Sequence, residues 1–317
     1  MRAVWLKEFG APEMLVVRQV PDPVAGRGQV VIEVEFANVT FVETQFRAAG
    51  AGPVSATPPL IPGNGVGGVV AEVGEDVDRG LLGRRVVSSL GGTGGYAERA
   101  VADAAALIPV PERLAMDQAV ALLADGRTAI LLARTASVRE GDRVLVEAAA
   151  GGVGTLLVQL ARNAGARVVG LAGGARKVDV VRELGAEVAI DYRVDGWDQR
   201  VRDAVGGVDV VFDGVGGAVA RSAFGLLEGG GRMLSYGLAS GSWMDISPEE
   251  AAERGVQLLQ TQAGLAELRA LTAEALRAGA AGRLRPVIGQ RYPLDQAAAA
   301  HAAIEARTTV GKTLLVV

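Results

Sequence analysis

The sequence predicts an α/β protein that combines a β-rich domain with a doubly wound parallel sheet. Up to about residue 115, short runs of alternating apolar and polar residues are separated by glycine- and proline-rich turns, which is typical of antiparallel strands. From about Asp117 onwards, helical and strand periodicities alternate, and this alternation indicates parallel strands covered by helices. With 317 residues, of which 50% are hydrophobic, the chain is long enough for two globular domains.

The predicted strands of the first part alternate valine and isoleucine with charged or small residues. They are VVIEVEF at 30–36, GGVVAEVG at 67–74 and RRVVSSL at 84–90. In the second part, helices are predicted at 117–136, 153–164, 175–184, 197–205 and 218–227, and strands at 143–147, 167–171, 187–190, 208–213 and 231–236. The chain then continues with a helix at 264–279, a strand near 285–291, a helix around His301 and the terminal strand KTLLVV.

The turn after the predicted strand at 143–147 is the most informative segment. The strand runs into AGGVG at 150–154, and an amphipathic helix, TLLVQLARNAGA, follows directly. In the G-x-G-x-x-G pattern of Rossmann folds, the aligned residues are Ala149, Gly151 and Gly154, so the first glycine alone is replaced. A helix start with free N–H groups and a positive dipole end binds pyrophosphate when no bulky side chain stands in the way. We therefore predict a dinucleotide site at Gly151, Gly152, Val153 and Gly154.

The end of the next predicted strand indicates which dinucleotide is bound. An NAD site usually has an acidic residue here for the ribose 2′-hydroxyl, whereas the 2′-phosphate of NADP needs cations. The segment 171–177 reads LAGGARK and is followed by no acid before Asp179, so it favours NADPH. Arg176 and Lys177 could instead merely solvate the first turn of the next helix. Lysine occurs only at positions 7, 177 and 312, which favours a functional role for Lys177.

Composition excludes several kinds of site. The chain has no cysteine and His301 is its only histidine, so it can form neither a His/Cys zinc site nor a thiol nucleophile. His301 falls in the alanine-rich helix DQAAAAHAAIEA, where a packed or solvated histidine is expected rather than a member of a Ser-His-Asp triad. The net charge of −4, without a basic cluster, argues against nucleic acid and anionic membrane surfaces as partners.

No stretch of the sequence predicts export or membrane insertion. The segment MRAVWLKEFG lacks the apolar core of a signal peptide. The most apolar stretch, 115–133, is interrupted by Asp117, Asp125 and Arg127. A cytoplasmic protein is therefore expected.

The motifs along the chain resemble those of the medium-chain dehydrogenase/reductase superfamily, and within it the zinc-independent quinone oxidoreductases related to zeta-crystallin. The similarity runs from FGAPEML at 9–15 through NVTFVETQFRAAG, IPGNGVGGVVAEVG and GGYAE to AAAGGVGTLLVQLA and VGKTLLVV, and covers nearly all of the chain. It implies a GroES-like catalytic domain at 1–116, completed by 283–317, with a Rossmann NADPH-binding domain at 117–282. Zinc-dependent members carry Gly-His-Glu where this chain has Gly63-Asn64-Gly65, so the resemblance also implies that no metal is bound.

The resemblance further implies which residues would hold NADPH. Three would surround the 2′-phosphate, with the lysine acting as a point charge: Gly173, Lys177 and Tyr192. Five would line the nicotinamide half: Thr128, Val215, Tyr236, Gly237 and Leu238. Tyr192 could equally be an ordinary aromatic residue at a strand end, and Thr128 could be a helix-interior threonine that bonds its own backbone.

The active-site motif departs from the family at two positions. Relatives typically read Asn-x-x-(Glu/Asp)-Thr-Tyr, whereas this chain has Thr40 in place of the asparagine and Gln45 in place of the tyrosine. Both side chains still donate hydrogen bonds, but a phenol able to donate a proton is missing. Thr40 and Gln45 are therefore the candidate catalytic donors to the substrate oxygen, with solvent supplying the proton. Alternatively, only the shape of the active-site pocket matters for activity, and the two replacements have no chemical consequence.

The activity implied by the resemblance is NADPH-dependent reduction of a quinone or a similar conjugated carbonyl without metal, mainly by placement of the reactants. One alternative, favoured by the altered Thr40 and Gln45, is an enoyl or enone reductase of a secondary-metabolic pathway. Another, of a different class, is a non-catalytic NADPH-binding protein, since relatives of zeta-crystallin serve as lens proteins. The strand-like GVQLLQTQ at 255–262 lies where relatives pair sheet edges, so a homodimer is expected.

Overall fold

The structure, a computed structural model, describes residues 1–52 and 54–317. The chain divides into two compact units, one formed by Met1–Arg127 with Ala266–Val317 and the other by Thr128–Leu265. The first unit is rich in antiparallel strands and the second contains a parallel sheet with helices, so the predicted α/β fold class is confirmed. Within the described residues, no helix is both long and apolar enough to cross a membrane.

The helices and strands follow one another in three blocks along the chain. The first block consists of β1 (Arg2–Leu6), β2 (Leu15–Gln19), β3 (Gln29–Val39), α1 (Phe41–Ala49), β4 (Gly65–Val73), β5 (Arg85–Ser89), β6 (Arg99–Asp103), β7 (Ile108–Pro109) and α2 (Met116–Thr135). The second consists of β8 (Arg143–Val146), α3 (Gly152–Asn163), β9 (Arg167–Ala172), α4 (Ala175–Glu183), β10 (Val188–Asp191), α5 (Trp197–Val205), β11 (Val208–Asp213), α6 (Gly217–Gly225), β12 (Leu227–Ser235), α7 (Pro248–Glu253) and β13 (Gln257–Leu259). The last consists of α8 (Leu265–Ala280), β14 (Gln290–Pro293), α9 (Ala297–Glu305) and β15 (Thr313–Val316).

The main sheet of the first unit has the strand order β14-β15-β3-β4-β5-β7, and β6 pairs with β3 outside this path. Its neighbours are antiparallel except for β14 and β15. Because β15 comes from the C-terminal part of the chain and pairs with β3, both ends of the sequence build this sheet. Alternate residues of β3, among them Val30, Ile32 and Val34, are buried in the same core as Leu315 of β15.

Helix α1 lies within the part of the chain whose pattern predicted strands and turns. The Thr40 side chain accepts a hydrogen bond from the Glu43 N–H, and the Glu43 carboxylate accepts one from the Thr40 N–H. This capping box starts the helix, and Gly50, in the left-handed conformation with φ 69°, ends it. The β-rich unit therefore contains a helix that the strand pattern did not predict, although T-x-x-E at 40–43 was a signal for it.

The sheet of the second unit is parallel and has the strand order β10-β9-β8-β11-β12-β13. Counted from β8, this is the order 3-2-1-4-5-6 of dinucleotide-binding Rossmann folds. The order reverses between β8 and β11, so the connections after these two strands run to opposite sides. They leave a crevice at the carboxyl ends of the strands, where ligands bind in such sheets.

Strand β14 spans Gln290–Pro293 and not the predicted 285–291. Pro286 lacks the N–H that a ladder needs, so the apolar run around it does not form a strand. At Gly289 the backbone passes so close to its neighbour that a Cβ would lie 2.0 Å from the Val310 carbonyl oxygen. Regular pairing with β15 begins only after this close approach, at Gln290 opposite Thr313.

A buried ion pair joins α2 to the C-terminal strand of the first unit. Lys312 Nζ lies 3.1 Å from Asp125 Oδ1, and both side chains are almost completely buried. Lys312 immediately precedes β15, so the pair ties this strand to α2. Each charge needs the other because water cannot solvate it in the interior.

Asp125→Ala is expected to lower the free energy of unfolding by about 3 to 5 kcal/mol, because it leaves the Lys312 ammonium group buried without a counter-charge. The double variant Asp125→Ala, Lys312→Met replaces the pair by apolar groups and should recover most of this loss. Urea unfolding followed by circular dichroism measures both changes. Equal destabilisation of the single and the double variant would show that lost packing, and not the unpaired charge, is responsible.

Candidate active site

The glycine turn after β8 is shaped by a close backbone approach. A Cβ at Gly154 would lie 2.3 Å from the Ala148 carbonyl oxygen, so only glycine lets the first turn of α3 come this near to the strand end. The N-cap residue, Gly151, provides no side-chain cap for the first N–H groups of the helix. Such N–H groups, at the positive end of the helix dipole, are the donors that a pyrophosphate uses. The turn thus fits a dinucleotide, and 151–154 stay the predicted residues for holding it.

The ends of β9 and β10 bring two glycines, an aromatic residue and an arginine together. A Cβ at Gly173 would lie 3.4 Å from the Tyr192 hydroxyl, and a Cβ at Gly174 would lie 2.6 Å from Nη2 of Arg193. Lys177 is in the first turn of α4, which begins directly after Gly174. The structure therefore places Gly173 and Tyr192 side by side and adds Arg193, which sequence reasoning missed. Its signal was the arginine that directly follows Tyr192 in IDYR.

Asp191, the last residue of β10, is paired with Arg193. Its carboxylate accepts hydrogen bonds from Arg193 Nε at 3.1 Å and from Nη2 at 3.0 Å. These bonds hold the pKa of Asp191 at about 2, well below its usual range. The charge of Asp191 is thus compensated within the protein. Its carboxylate oxygens already accept hydrogen bonds from Arg193 and are not free for a ribose hydroxyl.

Two buried carboxyl groups meet at the switch point of the parallel sheet. Glu147 directly follows β8 and Asp213 ends β11, and both are completely buried. Burial raises the pKa of Glu147 well above its usual range, and the negative charge of Asp213 raises it further, so Glu147 keeps its proton. Sequence reasoning singled out neither residue. A glutamate within the apolar strand end VLVEAA was the available signal.

This carboxyl pair organises the turn after β11. The Val215 N–H donates to Glu147 Oε2 and to Asp213 Oδ1, each at 3.1 Å, and the Gly216 N–H donates to Asp213 Oδ1 at 2.7 Å. The Tyr236 hydroxyl donates to the Glu147 carbonyl oxygen at 3.0 Å. Val215 is therefore held by the two buried carboxyl groups and Tyr236 by the backbone carbonyl of Glu147, and both are predicted nicotinamide neighbours.

Gly237, Leu238 and Thr128 are the other predicted nicotinamide neighbours. A Cβ at Gly237 would lie 2.8 Å from the Gly214 carbonyl oxygen, so the loop after β12 passes close to the turn after β11. Leu238 is half-buried in this loop, and Thr128 is half-buried within α2. Their contacts with a cofactor stay predictions.

In the first unit, Thr40 belongs to a polar network around the buried Glu43. Glu43 Oε2 accepts hydrogen bonds from the Thr40 N–H at 2.6 Å and the Thr40 hydroxyl at 3.0 Å, and Oε1 accepts one from the Asn64 N–H at 2.8 Å. The Tyr96 hydroxyl lies 3.3 Å from Glu43 Oε2 and 3.1 Å from His301 Nε2. Burial raises the pKa of Glu43. Thr40 is therefore bonded to a carboxyl group whose pKa is raised by burial.

Tyr96 and His301 complete this network behind Glu43. Sequence reasoning found the family's phenol missing at Gln45, but the structure places the Tyr96 phenol beside Glu43. Burial, together with Glu43, raises the pKa of Tyr96 well above 10.0, so the phenol stays protonated. His301, expected to be packed or solvated, is packed and fully buried. Burial and the charge of Arg47 lower its pKa to about 3, so the ring is neutral. The tyrosine in GGYAE was the signal for this network.

Gln45, the second predicted donor, lies outside this network. Its side chain is half-buried on α1, where Thr40 is the N-cap. Across 1–52 and 54–317, its amide forms no hydrogen bond. The amide group is thus available to a ligand, and the catalytic roles of Thr40 and Gln45 stay predictions.

Known proteins similar to this chain cover its whole length. Residues 26–112 match the alcohol dehydrogenase GroES-like domain, and residues 184–315 match the zinc-binding dehydrogenase domain. The chain is 33% identical to quinone oxidoreductase of Sus scrofa over 99% of this chain and 97% of that protein. It is 34% identical to 2-haloacrylate reductase of Burkholderia sp, over 99% and 98% of the two chains. The solved structure of mycobacterial Rv1454c complexed with NADPH has 34% identity, a TM-score of 0.90 and 100% coverage of both chains.

The second matched domain is named for zinc binding, but this sequence lacks the set of cysteine and histidine ligands that such a site needs. The chain has no cysteine, and its one histidine is buried against Tyr96. In the part of the chain that the structure describes, no three histidine, aspartate or glutamate side chains are grouped so that they could hold a metal ion. The similarity therefore concerns the fold of this domain and does not extend to zinc ligands.

Glu147→Gln is expected to change how stability depends on pH. Folded Glu147 keeps a proton that the unfolded chain loses above the ordinary pKa of 4.5, so its contribution to the free energy of unfolding falls as the pH rises. Glutamine is neutral in both states. Between about pH 5 and about pH 8 the variant should gain stability relative to the wild type, by up to about 1.4 kcal/mol per pH unit. Urea unfolding at both pH values measures this, and a difference that does not vary with pH would refute it.

Proposed function

The chain belongs to the zinc-independent quinone oxidoreductase family of the medium-chain dehydrogenase/reductases, and we propose that it reduces a quinone or a similar conjugated carbonyl with NADPH. The observation that carries the proposal is the glycine turn at the switch point of the Rossmann sheet, whose uncapped helix start suits a dinucleotide. The similarity to the quinone oxidoreductase of Sus scrofa supports the acceptor class. The NADPH complex of the mycobacterial protein supports the cofactor.

The cofactor, when bound, supplies the hydride, and the protein provides the groups that hold it. The N–H groups of 151–154 would bind the pyrophosphate. Lys177 and Tyr192 would surround the 2′-phosphate beside Gly173, and Arg193 compensates the charge of Asp191, so that this acid does not repel the phosphate. The residues proposed for the nicotinamide half are Thr128, Val215, Tyr236, Gly237 and Leu238.

Thr40 is the proposed donor to the substrate oxygen. The protonation state of Glu43 would determine whether the hydroxyl proton of Thr40 points at Glu43 or at the substrate. In the structure the Thr40 hydroxyl donates to Glu43 Oε2, which is the orientation expected when Glu43 is ionised. Burial raises the pKa of Glu43, so this carboxyl group takes up a proton at a higher pH than a free glutamate does. Protonated Glu43 can donate to Thr40 Oγ1, which leaves the Thr40 proton free to point at a ligand. Thr40, together with the Gln45 amide, would then stabilise the oxygen that gains negative charge.

A second candidate function is reduction of the carbon–carbon double bond of an enone or enoyl compound. The similarity to a 2-haloacrylate reductase over 99% of this chain favours it. The replacement of the family's tyrosine by Gln45 favours it as well, because the pocket differs there from that of the quinone reductases. A third hypothesis, a protein that binds NADPH without turnover, is distinguished from both by assaying acceptor reduction.

We also propose a homodimer with a cytoplasmic location. Strand β13 (Gln257–Leu259) is the last in the sheet order of the second unit, so its outer edge has no neighbouring strand within the described residues. A second copy of the chain could pair with this edge. Light scattering coupled to size-exclusion chromatography tests the dimer, and cell fractionation tests the location.

Lys177→Met should weaken NADPH binding about tenfold and leave NADH binding unchanged, because the ammonium group interacts with the 2′-phosphate that NADH lacks. Calorimetric titration of both nucleotides measures the effect. The matched control is Arg182→Gln, which removes a cation of the same helix that already pairs with Asp179. Equal affinities of the wild type for NADPH and NADH would speak against the proposed cofactor.

The wild-type protein should oxidise NADPH when a simple quinone is present, which is followed by the loss of the near-ultraviolet absorbance of the reduced nicotinamide. Turnover with enones or enoyl thioesters alone would favour the second candidate. Tight NADPH binding without turnover of any acceptor would reject both and favour the non-catalytic reading.

The same assay tests the two donors. Thr40→Val should lower kcat/KM on the true acceptor by about a hundredfold and Gln45→Ala by about tenfold, because each removes a donor to the substrate oxygen. Thr40→Ser is the control, since it keeps both the hydroxyl group and the helix cap. If Thr40→Val and Gln45→Ala both left kcat/KM unchanged, these residues would not be the donors.

A further inference from the structure

Arg127 is a partly buried cation without a counter-charge. It lies half-buried in α2, and burial lowers the pKa of its guanidinium group, although Asp125 offsets part of the effect. Arg127 Nη1 donates to the Ser89 hydroxyl at 3.3 Å, and no carboxylate of the described residues forms an ion pair with it. Asp125 is already bonded to Lys312. A cation that loses water in this way is stabilised when an anion approaches it.

The remaining donors of Arg127 can be reached by a ligand. Within the described residues, no nitrogen of Arg127 is both sealed from solvent and without a hydrogen-bond partner. Arg47, which is fully buried, differs in this respect, because its Nε is sealed and has no partner. The nitrogens of Arg127 that do not bond Ser89 are therefore not completely sealed from solvent. A guanidinium group with free, accessible N–H groups can receive the oxygen atoms of a ligand.

Ser89 connects this guanidinium group to the proposed donors. It ends β5, and the next residue, Leu90, donates its N–H to Oδ1 of Asn64 at 3.2 Å. The Asn64 N–H in turn donates to Glu43, which bonds the Thr40 hydroxyl. A continuous path of short contacts within the first unit therefore leads from the cation to the Thr40 hydroxyl.

On the basis of the proposed function, we propose that Arg127 binds a carboxylate of the acceptor, so that the substrate is an acidic conjugated carbonyl compound. A planar guanidinium group binds a carboxylate through two parallel N–H bonds, which determines orientation as well as charge. The carboxylate would supply the counter-charge that the protein does not provide. The Ser89 hydroxyl lies beside the same group and would add an orienting contact.

Steady-state kinetics with NADPH test this substrate class on β-acetylacrylate, a conjugated ketone with a carboxylate, and on its neutral methyl ester. We expect the wild type to prefer the acid in kcat/KM by roughly tenfold or more. Arg127→Gln should lower kcat/KM for the acid about ten- to a hundredfold, because charge-assisted hydrogen bonds are lost, and leave the ester within about twofold. Arg127→Lys should retain part of the preference. Unchanged activity on the ester also shows that the variants fold.

Arg84→Gln is the matched control for the loss of one positive charge. Arg84 is exposed, lies in the same unit and donates to the Gly80 carbonyl oxygen. This variant should keep the preference for the acid. The proposal is overturned if the wild type does not distinguish acid from ester, if Arg127→Gln loses equally on both, or if Arg84→Gln loses the preference to the same extent.

A binding measurement separates this proposal from the proposed function. Calorimetry follows the binding of levulinate, the saturated counterpart of β-acetylacrylate, to the wild type and to Arg127→Gln in the presence of NADP⁺. Weaker binding to the variant supports the carboxylate site even if neither acceptor is turned over, in which case the proposed function alone fails. Unchanged levulinate binding overturns the proposal, and a loss of NADPH affinity in the same variant would then assign Arg127 to the cofactor.

Discussion

The candidate cofactor site depends on the contact between the first turn of α3 and the end of β8. A methyl group at Gly154 would stand 2.3 Å from the Ala148 carbonyl oxygen and 2.8 Å from the Ala149 Cα, so the helix can begin here only because this residue is glycine. The contact directs the positive end of the helix dipole to the carboxyl edge of the sheet. Because parallel strands all end at this edge, side chains from distant parts of the sequence can serve one ligand.

Each unit places a buried carboxyl group behind the residues that are proposed to touch a ligand. In the second unit, Glu147 and Asp213 hold Val215 through its N–H group. In the first unit, Glu43 holds Thr40 through both its N–H and its hydroxyl group. Burying a carboxyl group is costly, but backbone donors offset part of the cost and restrict the turn to one conformation. In both units the protonated acid can also act as a donor, which an ionised carboxylate cannot.

The cations of the protein differ in whether the protein itself supplies their counter-charge. Lys312 is buried and fully engaged with Asp125, so it serves stability. Arg193 is exposed and paired with Asp191, so it compensates the negative charge of Asp191 at the strand end proposed for the 2′-phosphate. Arg127 is half-buried and has a hydroxyl group as its partner, and no carboxylate of the described residues pairs with its charge. Equal formal charges thus have different consequences because their surroundings differ.

Local sequence signals were sufficient for the fold class and for the alternation of helices and strands around the parallel sheet, but not for helix α1. They also predicted the dinucleotide turn, and the composition excluded cysteine zinc ligands and left a single histidine. Periodicity, glycine punctuation and composition are properties of neighbouring residues or of the whole chain, so they can be read without coordinates. The Tyr96 contacts with Glu43 and His301 join residues 53 and 205 positions apart, and the Glu147 contact with Val215 spans 68 positions. Whether an acid keeps its proton, or a cation such as Arg127 pairs with a hydroxyl group and not with a carboxylate, depends on burial and on distant neighbours. Those properties arise only when the chain is packed in three dimensions.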